Sequence, residues 1–293
     1  MNLLRVVLAQ TNPRLGDLHH NLEDHLERVE AAVEEEADLV VFPELSLTGY
    51  FLKDQAFEVA EPLDSALLAR LAEASRRVSI VAGFVERSPE GRLYNSLGFF
   101  EDGELRKVHR KVHLVSYGMF DEARDFAAGA SFEPFRASKA LLGPLLCEDL
   151  WHAPSAYVHF LNDVDVLVCS SASPARGVEA RPGIEGLGSQ RTWELLVRAQ
   201  ALLYRTWVVY VGRVGWEDGI GFGGASSVVD PFGNLVLCLD PLEPATATVE
   251  LDGATLHRAR VETPLRRDEK PWVLASALTE HLPGWRPPGE ERE

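Results

Sequence analysis

The chain has 293 residues, of which 46% are hydrophobic, and a formal net charge of −16 at pH 7. Such an excess of acidic groups excludes a nucleic-acid backbone or an anionic membrane as the principal partner. The sequence contains no run of about 18 apolar residues and no basic leader, so it predicts a cytoplasmic protein without a membrane-spanning helix.

Strand and helix patterns alternate over the first part of the chain. Apolar residues recur at helical spacing in two segments and form short apolar runs in three others. The predicted elements are a strand over Leu3–Gln10, a helix over Leu18–Glu36, a strand ending at Pro43-Glu44, a helix over Leu63–Arg77 and a strand over Val78–Glu86. This order favours inner strands covered by helices, as in α/β proteins.

The pattern after Asn95 indicates antiparallel pairing, because Asp102-Gly103 is a strong hairpin signal. Further elements are predicted as strands over Ser96–Glu101, Glu104–Val112, Leu141–Cys147, Val164–Ser171 and Trp207–Arg213, a helix over Gln190–Tyr204 and a turn over Asp230–Asn234. No internal repeat or long linker divides the chain. We therefore expect one domain over residues 1–280, followed by a Pro-rich, charged tail over residues 281–293.

The three cysteines match no zinc-finger or thioredoxin spacing and cannot all pair within one chain, which fits a reducing compartment. Cys169 and Cys238 lie within apolar runs and are predicted to be small buried hydrophobic residues. Cys147 differs from them, because it ends an apolar run and is followed at once by Glu148 and Asp149. A thiol at the mouth of a buried strand is placed where a nucleophile is both held and exposed.

Glu44 and Lys111 stand at similar junctions between predicted strands and loops. A carboxylate, an ammonium group and a thiol are together sufficient for acyl transfer from an amide without histidine or metal. Each residue also has an ordinary structural interpretation: a core cysteine, a helix-capping carboxylate, or one cation of a basic strand. The combination of all three favours a catalytic site.

The segments around these residues resemble the Glu, Lys and Cys motifs of the nitrilase superfamily of carbon-nitrogen hydrolases, and most closely the glutaminase domain of glutamine-dependent NAD synthetase. The resemblance is carried by Phe42–Tyr50, Arg110–Leu114, Tyr117–Glu122, Leu146–Trp151 and Ser171–Pro174. It implies a four-layer α-β-β-α sandwich with catalytic groups at strand ends. It also implies a homodimer or a higher homo-oligomer.

The same resemblance implies a role for each motif residue. Cys147 would be the nucleophile, Glu44 the general base, and Lys111 the group that stabilises the oxyanion together with the backbone N–H of Glu148. Glu122 would orient Lys111 or the substrate nitrogen, although it is equally well explained as one charge of an acidic loop. No metal and no other cofactor is implied.

Three residues are assigned to the substrate pocket by resemblance alone: Tyr117, Glu148 and Ser173. Tyr117 and Ser173 also have a structural interpretation as packing or capping residues. The segment Arg176–Gly188 looks longer and richer in glycine than the glutaminase pattern, and the chain ends at Glu293 without a Gly-rich ATP-pyrophosphatase segment. These departures leave the substrate open and indicate a free-standing chain.

The leading hypothesis is an amidohydrolase that cleaves a linear C–N bond of a small, glutamine-like amide through a cysteine thioester and releases ammonia. One alternative is a hydrolase of an N-carbamoyl amino acid, similar to β-ureidopropionase. Another is a glutaminase subunit that passes ammonia to a separate NAD synthetase. A different class is a binding or regulatory subunit that is weakly active until it docks on an ammonia-consuming synthetase.

Two further motifs and one histidine carry weaker signals. Gly219–Gly224 matches G-x-G-x-x-G by letter, but a strand is predicted after it, so a dinucleotide site is rejected. His109 and His113 lack the further ligands of a zinc site and are predicted to be surface or structural residues. His152 lies near Cys147 in the sequence, which leaves a Cys-His hydrolase as an alternative mechanism.

Overall fold

The computed structural model describes residues 1–177 and 187–282, which form two six-stranded sheets, a two-stranded hairpin and helices. The strands are β1 (Leu3–Gln10), β2 (Leu39–Val41), β3 (Ser79–Arg87), β4 (Leu93–Glu101), β5 (Glu104–Arg110), β6 (Phe135–Arg136), β7 (Leu141–Leu146), β8 (Val166–Ser171), β9 (Trp207–Gly212), β10 (Gly215–Glu217), β11 (Ile220–Phe222), β12 (Ser227–Val229), β13 (Leu235–Cys238) and β14 (Ala245–Asp252). The helices are α1 (Leu18–Glu34), α2 (Ala66–Ala74), α3 (Glu122–Asp125), α4 (Ala153–Leu161), α5 (Gly188–Tyr204), α6 (Gly253–Glu262), α7 (Leu265–Asp268) and α8 (Pro271–His281), with 3-10 helices at Lys53–Gln55 and Cys147–Trp151.

The first sheet has the strand order β14-β1-β2-β3-β4-β5. Its inner strands β1, β2 and β3 run parallel, and the strands at both edges are antiparallel to their neighbours. Side chains alternate between the two faces, as strand geometry requires. Leu4, Val6 and Leu8 face the second sheet, whereas Val7 and Ala9 pack against α1 and α2.

The second sheet repeats this plan in the order β13-β12-β9-β8-β7-β6, with β7, β8 and β9 parallel. Val166 and Val168 pack on the first sheet, while Leu167 and Cys169 pack against α5 through Trp193. Helices therefore cover the outer face of each sheet. The α-β-β-α sandwich predicted from the motifs is confirmed.

The carboxyl ends of the inner strands of both sheets meet at one edge of the sandwich. The hydroxyl of Ser170, near the end of β8, donates a hydrogen bond of 2.7 Å to the carbonyl oxygen of Phe42, just after β2. This bond joins the end of β2 to β8, and Leu146, the last residue of β7, pairs with Ser170 in the second sheet. This edge carries Glu44 and Cys147.

Several predicted boundaries differ from the structure. The helix predicted over Leu63–Arg77 is shorter, because the Ser65 hydroxyl accepts a hydrogen bond from Leu68 N and caps α2 at Ala66. Cys169 is buried as predicted, but the prediction for Cys238 is wrong: it is exposed, since β13 is an edge strand with a neighbour on one side only. Gly219–Gly224 forms part of a hairpin and is followed by β12 rather than a helix.

Some predictions concern residues outside those that the structure describes. The predicted tail lies outside the described residues except for His281 and Leu282, as does most of the Gly-rich part of Arg176–Gly188. The domain boundary at residue 280 stays a prediction. Among the helices within 1–177 and 187–282, none is both long enough and apolar enough to cross a membrane.

Gly83 in β3 lies directly beneath the segment that carries Glu44. A Cβ atom at this position would sit 2.4 Å from Leu45 N and 2.6 Å from Pro43 O, both of them backbone atoms that cannot rotate away. We predict that Gly83→Ala lowers the free energy of unfolding by about 3 kcal/mol, measured by urea unfolding.

The matched control is Gly91→Ala, where φ is +80° and an added Cβ meets nothing within 4 Å. Its cost should be only that of the left-handed backbone, about 1 kcal/mol. Equal losses in the two variants would show that the contact at Gly83 is not tight.

Two buried histidines, His25 and His159, are held in their neutral forms. His25 Nδ1 donates to Asn21 O at 2.6 Å, so its Nε2 accepts from the Ser46 hydroxyl at 2.9 Å, and the ring stacks on Phe42. His159 Nε2 donates to the carbonyl oxygen of a strand residue, also within the protein interior. Burial lowers the pKa of each to about 4.

This difference from the unfolded chain predicts a loss of stability on acidification. Between pH 6.5 and pH 4 the unfolded chain binds a proton at each histidine that the folded protein does not bind, so stability falls as pH falls through this window. From pH 7.5 to pH 5.0 each histidine should remove about 2 kcal/mol from the free energy of unfolding. His25→Gln should weaken this pH dependence, and His20→Gln, an exposed residue of the same helix, should leave it intact. Equal pH dependence in His25→Gln and wild-type protein would contradict the prediction.

Candidate active site

Glu44 lies three residues after Val41, the last residue of β2, at the edge where the two sheets meet. Its side chain is fully buried. Its Oε1 accepts hydrogen bonds from Lys111 Nζ at 2.7 Å and from Asn95 Nδ2 at 2.8 Å, and its Oε2 accepts from Ala172 N at 2.8 Å. Burial raises the pKa of Glu44, and the charge of Lys111 opposes this rise. Burial therefore favours the protonated carboxyl, and the contact with Lys111 favours the ionised one.

Lys111 directly follows β5, and its ammonium group bridges two carboxylates. Nζ donates to Glu44 Oε1 and to Glu122 Oε1, both at 2.7 Å, and the side chain is 1% exposed. Burial acts to lower the pKa of Lys111, but the charges of Glu122 and Glu44 outweigh it and raise the pKa well above its ordinary value. Lys111 stays charged at neutral pH.

Glu122 begins α3 and is hydrogen-bonded through both oxygens. Oε1 accepts from Lys111 and from the Tyr50 hydroxyl at 2.5 Å, and Oε2 accepts from Val115 N at 3.0 Å. Burial, reinforced by the charge of Glu122, raises the pKa of Tyr50 well above its usual range, so the phenol remains a donor. The structure thus brings Glu122 to Lys111 as a fixed acceptor.

Cys147 is the first residue of the 3-10 helix that follows β7. Its φ of 44° lies in the left-handed region, which is uncommon for a residue other than glycine and turns the chain sharply at this point. The residue is half-buried, and Sγ accepts a hydrogen bond from the Ser171 hydroxyl at 3.2 Å. Burial, followed by the nearby charge of Glu44, raises the pKa of the Cys147 thiol, so the resting group is protonated at neutral pH.

Asp149, two residues after Cys147, is a fully buried carboxylate that links this turn to the segment around Lys111. Oδ2 accepts from His109 Nε2 at 2.9 Å and from Leu146 N at 3.2 Å, while Oδ1 accepts from the backbone N–H and the ring of His113 at 2.9 and 3.1 Å. Burial acts to raise the pKa of Asp149, but these hydrogen bonds lower it well below its usual range. His109 and His113 therefore serve as donors to a structural carboxylate.

The mouth of the site carries two of the predicted substrate-binding residues, Tyr117 and Glu148. The exposed Tyr117 donates its hydroxyl to both oxygens of the nearly buried Glu148, at 3.2 and 3.1 Å. Ser173 is placed differently, because its hydroxyl oxygen accepts a hydrogen bond from Trp193 Nε1 at 2.7 Å. The hydroxyl of Ser173 is thus already paired with a protein group.

His152 is directed toward other groups than the thiol. Its Nε2 is 3.6 Å from Glu148 Oε1, and its ring stacks on His113 with a centroid distance of 3.7 Å. Within residues 1–177 and 187–282, the side-chain hydrogen bond to Cys147 comes from Ser171 and none comes from His152. His152 is thus engaged with Glu148 and His113 rather than with the Cys147 thiol.

Four residues of this site were not predicted from the sequence: Tyr50, Asn95, Asp149 and Ser171. Tyr50, Asp149 and Ser171 lie inside the segments that carry the family resemblance, so their place in those segments was a usable signal. Asn95 lies in strand β4, where a polar residue carries no periodic signal of its own.

Most of the chain is similar to known proteins. Residues 5–261 match the family model described as carbon-nitrogen hydrolase. The glutamine-dependent NAD(+) synthetase of Thermotoga maritima is 32% identical over 272 residues, which cover 91% of this chain and 45% of that protein. The chain thus spans less than half the length of this relative. An (R)-stereoselective amidase of Pseudomonas sp is 30% identical over 286 residues, 97% of both chains.

Solved structures show the same relationships. The glutamine-dependent NAD+ synthetase of Acinetobacter baumannii superposes with a TM-score of 0.78 at 28% identity, over 87% of this chain and 47% of that chain. A carbon-nitrogen hydrolase of Helicobacter pylori G27 superposes with a TM-score of 0.83 at 25% identity, over 97% and 100% of the two chains. The chain therefore belongs to the carbon-nitrogen hydrolase family, the nitrilase superfamily that its Glu, Lys and Cys motifs predicted.

Proposed function

We propose that this carbon-nitrogen hydrolase is an amidase that cleaves a small linear amide through a Cys147 thioester and releases ammonia. The observation that carries the proposal is the convergence of Glu44, Lys111 and Cys147. The ammonium group lies 2.7 Å from the carboxylate, and two consecutive residues hold the other groups, since the Ser171 hydroxyl donates to Cys147 Sγ and Ala172 N donates to Glu44 Oε2. A general base, an oxyanion donor and a nucleophile are then present in one buried cluster.

In the first step the Cys147 sulfur attacks the amide carbon as its proton passes to Glu44. Oε1 of Glu44 is occupied by Lys111 and Asn95, whereas Oε2 has one donor, Ala172 N, within the described residues. A carboxylate oxygen has two acceptor sites, so Oε2 keeps one for the thiol proton. We assign proton acceptance to Oε2.

The negative charge that develops on the amide oxygen is stabilised by Lys111. An ammonium group has three N–H bonds, and two of them are directed at Glu44 and Glu122. The third meets no acceptor among the described residues and can donate to the oxyanion, together with the backbone N–H of Glu148. Because Lys111 is buried and fixed by its carboxylates, this stabilisation requires no rearrangement during the reaction.

Collapse of the tetrahedral intermediate breaks the C–N bond, and Glu44 returns its proton to the departing nitrogen, which leaves as ammonia. The product on the protein is an acyl thioester at Cys147. Water then attacks the thioester carbon while Glu44 accepts one of its protons, and the second tetrahedral intermediate expels the sulfur, which regains that proton. The carboxylic acid is released and the resting site is restored.

A glutamine-like substrate is the proposal that the mouth of the site supports best. Glu148 is a nearly buried carboxylate beside the nucleophile, and Tyr117 donates to it from the exposed side. A carboxylate in this position suits the ammonium group of an amino-acid amide. Hydrolysis of an N-carbamoyl amino acid would use the same catalytic groups on a ureido carbon.

Transfer of ammonia to a synthetase is a second candidate function, favoured by the relatives that are NAD synthetases. In that case the chain acts as a glutaminase that supplies ammonia to a separate enzyme. The same chemistry is required at Cys147. Co-purification of an ammonia-consuming synthetase with a homodimer or larger oligomer of this chain would support it.

The catalytic assignment predicts which variants lose activity. Ammonia release is measured from glutamine, asparagine, aliphatic amides and N-carbamoyl-β-alanine. Cys147→Ala, Lys111→Met and Glu44→Gln should each lower kcat/KM at least about a thousandfold, because each removes a group that acts in the transition state.

Two controls accompany these variants. Cys238→Ser removes an exposed thiol far along the chain from the site and should retain wild-type activity. His152→Ala should also retain most of the activity, and its loss would instead support the Cys-His mechanism. Normal turnover by Cys147→Ala protein would rule out the thioester.

Recognition of an amino-acid amide predicts a selective effect of Glu148→Gln. The variant keeps the shape of the side chain but loses the charge that binds the substrate ammonium group. A charge-assisted hydrogen bond contributes about 1.5–3 kcal/mol, so KM for glutamine should rise about ten- to hundredfold. KM for propionamide, which has no ammonium group, should change much less. Tyr117→Phe is the control, since it leaves the carboxylate in place; equal KM increases for both substrates in Glu148→Gln would refute the assignment.

A further inference from the structure

Glu44 faces conflicting requirements as a base. It must be ionised to accept a proton, yet it is fully buried, and its surroundings already contain the carboxylate of Glu122. One ammonium group, Lys111, is shared between these two carboxylates. The cluster therefore holds one net negative charge away from water, a situation that favours protonation of Glu44.

Asn95 adds a donor to Glu44 without adding charge. It lies in β4 with no exposed surface, and its Nδ2 donates to Glu44 Oε1 at 2.8 Å. The main-chain carbonyl oxygen of Asn95 accepts a hydrogen bond from the backbone N–H of Lys111 at 2.9 Å. One residue thus holds the side chain of the base and the main chain of the lysine.

The oxygen of the Asn95 side-chain amide, unlike its nitrogen, holds no other group of the site. Its Oδ1 is buried and lacks a hydrogen-bond partner among the described residues. A buried polar atom without a partner destabilises a folded protein, and an apolar side chain of the same shape would avoid this cost. Stability alone does not account for an asparagine here, whereas its bond to Glu44 does.

We propose that Asn95 is a positioning residue, whose side-chain amide holds the Glu44 carboxylate in the ionised form that accepts the proton of Cys147. This inference rests on the proposed function, in which Glu44 is the base. Among the described residues, the charged or titratable groups around Glu44 lie on several elements. They are Lys111 after β5, Glu122 on α3, Tyr50, Cys147 after β7, Cys169 in β8 and Tyr210 in β9.

The test is the pH dependence of Cys147 alkylation by iodoacetamide, followed by mass spectrometry of the peptide that contains Cys147. In this reaction the sulfur forms a bond to the CH2 carbon, iodide leaves, and the thiol proton passes to Glu44. The assay reports proton acceptance by Glu44 and needs no knowledge of the natural substrate. The acidic limb of the rate profile marks the protonation of the Glu44–Cys147 pair.

Asn95→Leu removes the donor to Glu44 and keeps the size of the side chain. The midpoint of the acidic limb should move upward by about one pH unit, because loss of a hydrogen bond to a charged group favours the protonated carboxyl. Asn95→Ala is the second variant, in case leucine does not fit, and should show the same shift. Loss of the donor, and the cavity left by alanine, act to lower the melting temperature, whereas removal of the unpartnered Oδ1 acts to raise it, so the midpoint of the acidic limb is the deciding measurement.

Ser96→Ala is the matched control from the same strand. Ser96 is equally buried and donates to a different buried carboxylate, Glu86, at 2.7 Å. This variant should lose stability and keep the wild-type midpoint, which separates a structural effect from an effect on Glu44.

The outcomes distinguish the two proposals. An unchanged midpoint in both Asn95 variants, or a lower melting temperature with an unchanged midpoint, overturns the role of Asn95 and leaves the proposed function standing. Retained amidase activity in Cys147→Ala protein overturns the proposed function itself. An upward shift confined to the Asn95 variants supports the inference.

Discussion

The ammonium group of Lys111, shared between Glu44 and Glu122, is the interaction on which the rest of the site depends. All three side chains are buried, and moving charges out of water costs several kcal/mol per ion unless each is paired and hydrogen-bonded. The site meets this requirement with neutral donors. Tyr50 and Val115 complete Glu122, and Ala172 and Asn95 complete Glu44. Loss of any one donor shifts the remaining charges rather than removing an isolated contact.

The sandwich supplies these donors from both sheets. Lys111 and Asn95 belong to the first sheet and its continuation, whereas Cys147 and Ala172 follow strands of the second. Asp149 holds the two sets in place relative to each other, because it accepts hydrogen bonds from residues on either side of Lys111 and from Leu146, just before Cys147. A buried carboxylate that accepts from several backbone amides is strongly directional, so it fixes two separate segments relative to each other. The positions of Cys147 and Lys111 are thereby held by one residue, Asp149, which takes no part in the proposed chemistry.

The sequence predicted most of the strands and helices up to β9 in their order, and it singled out Glu44, Lys111 and Cys147, because apolar periodicity and motif resemblance can be read from local sequence. It could not predict which polar strand residue faces the base, since Asn95 and Ser96 differ only in the face of β4 on which they lie. The environment of Cys238 was wrongly predicted for a related reason: an apolar run looks the same in a central strand and in an edge strand, and only the strand order of the sheet distinguishes them. The role of Tyr50 as a donor to Glu122 could not be predicted either, because the two residues are 72 positions apart in the sequence and meet only in the folded chain.

The proposed chemistry conserves the charge of this buried cluster. At rest the negative charges lie on Glu44 and Glu122. In the tetrahedral intermediate Glu44 is protonated, and the second negative charge lies on the substrate oxygen instead. Lys111 therefore faces two anionic oxygens before and after the attack, and only the identity of one of them changes. A site that is already organised around two anions needs little further adjustment to stabilise the oxyanion, which explains why so many fixed donors surround a single base.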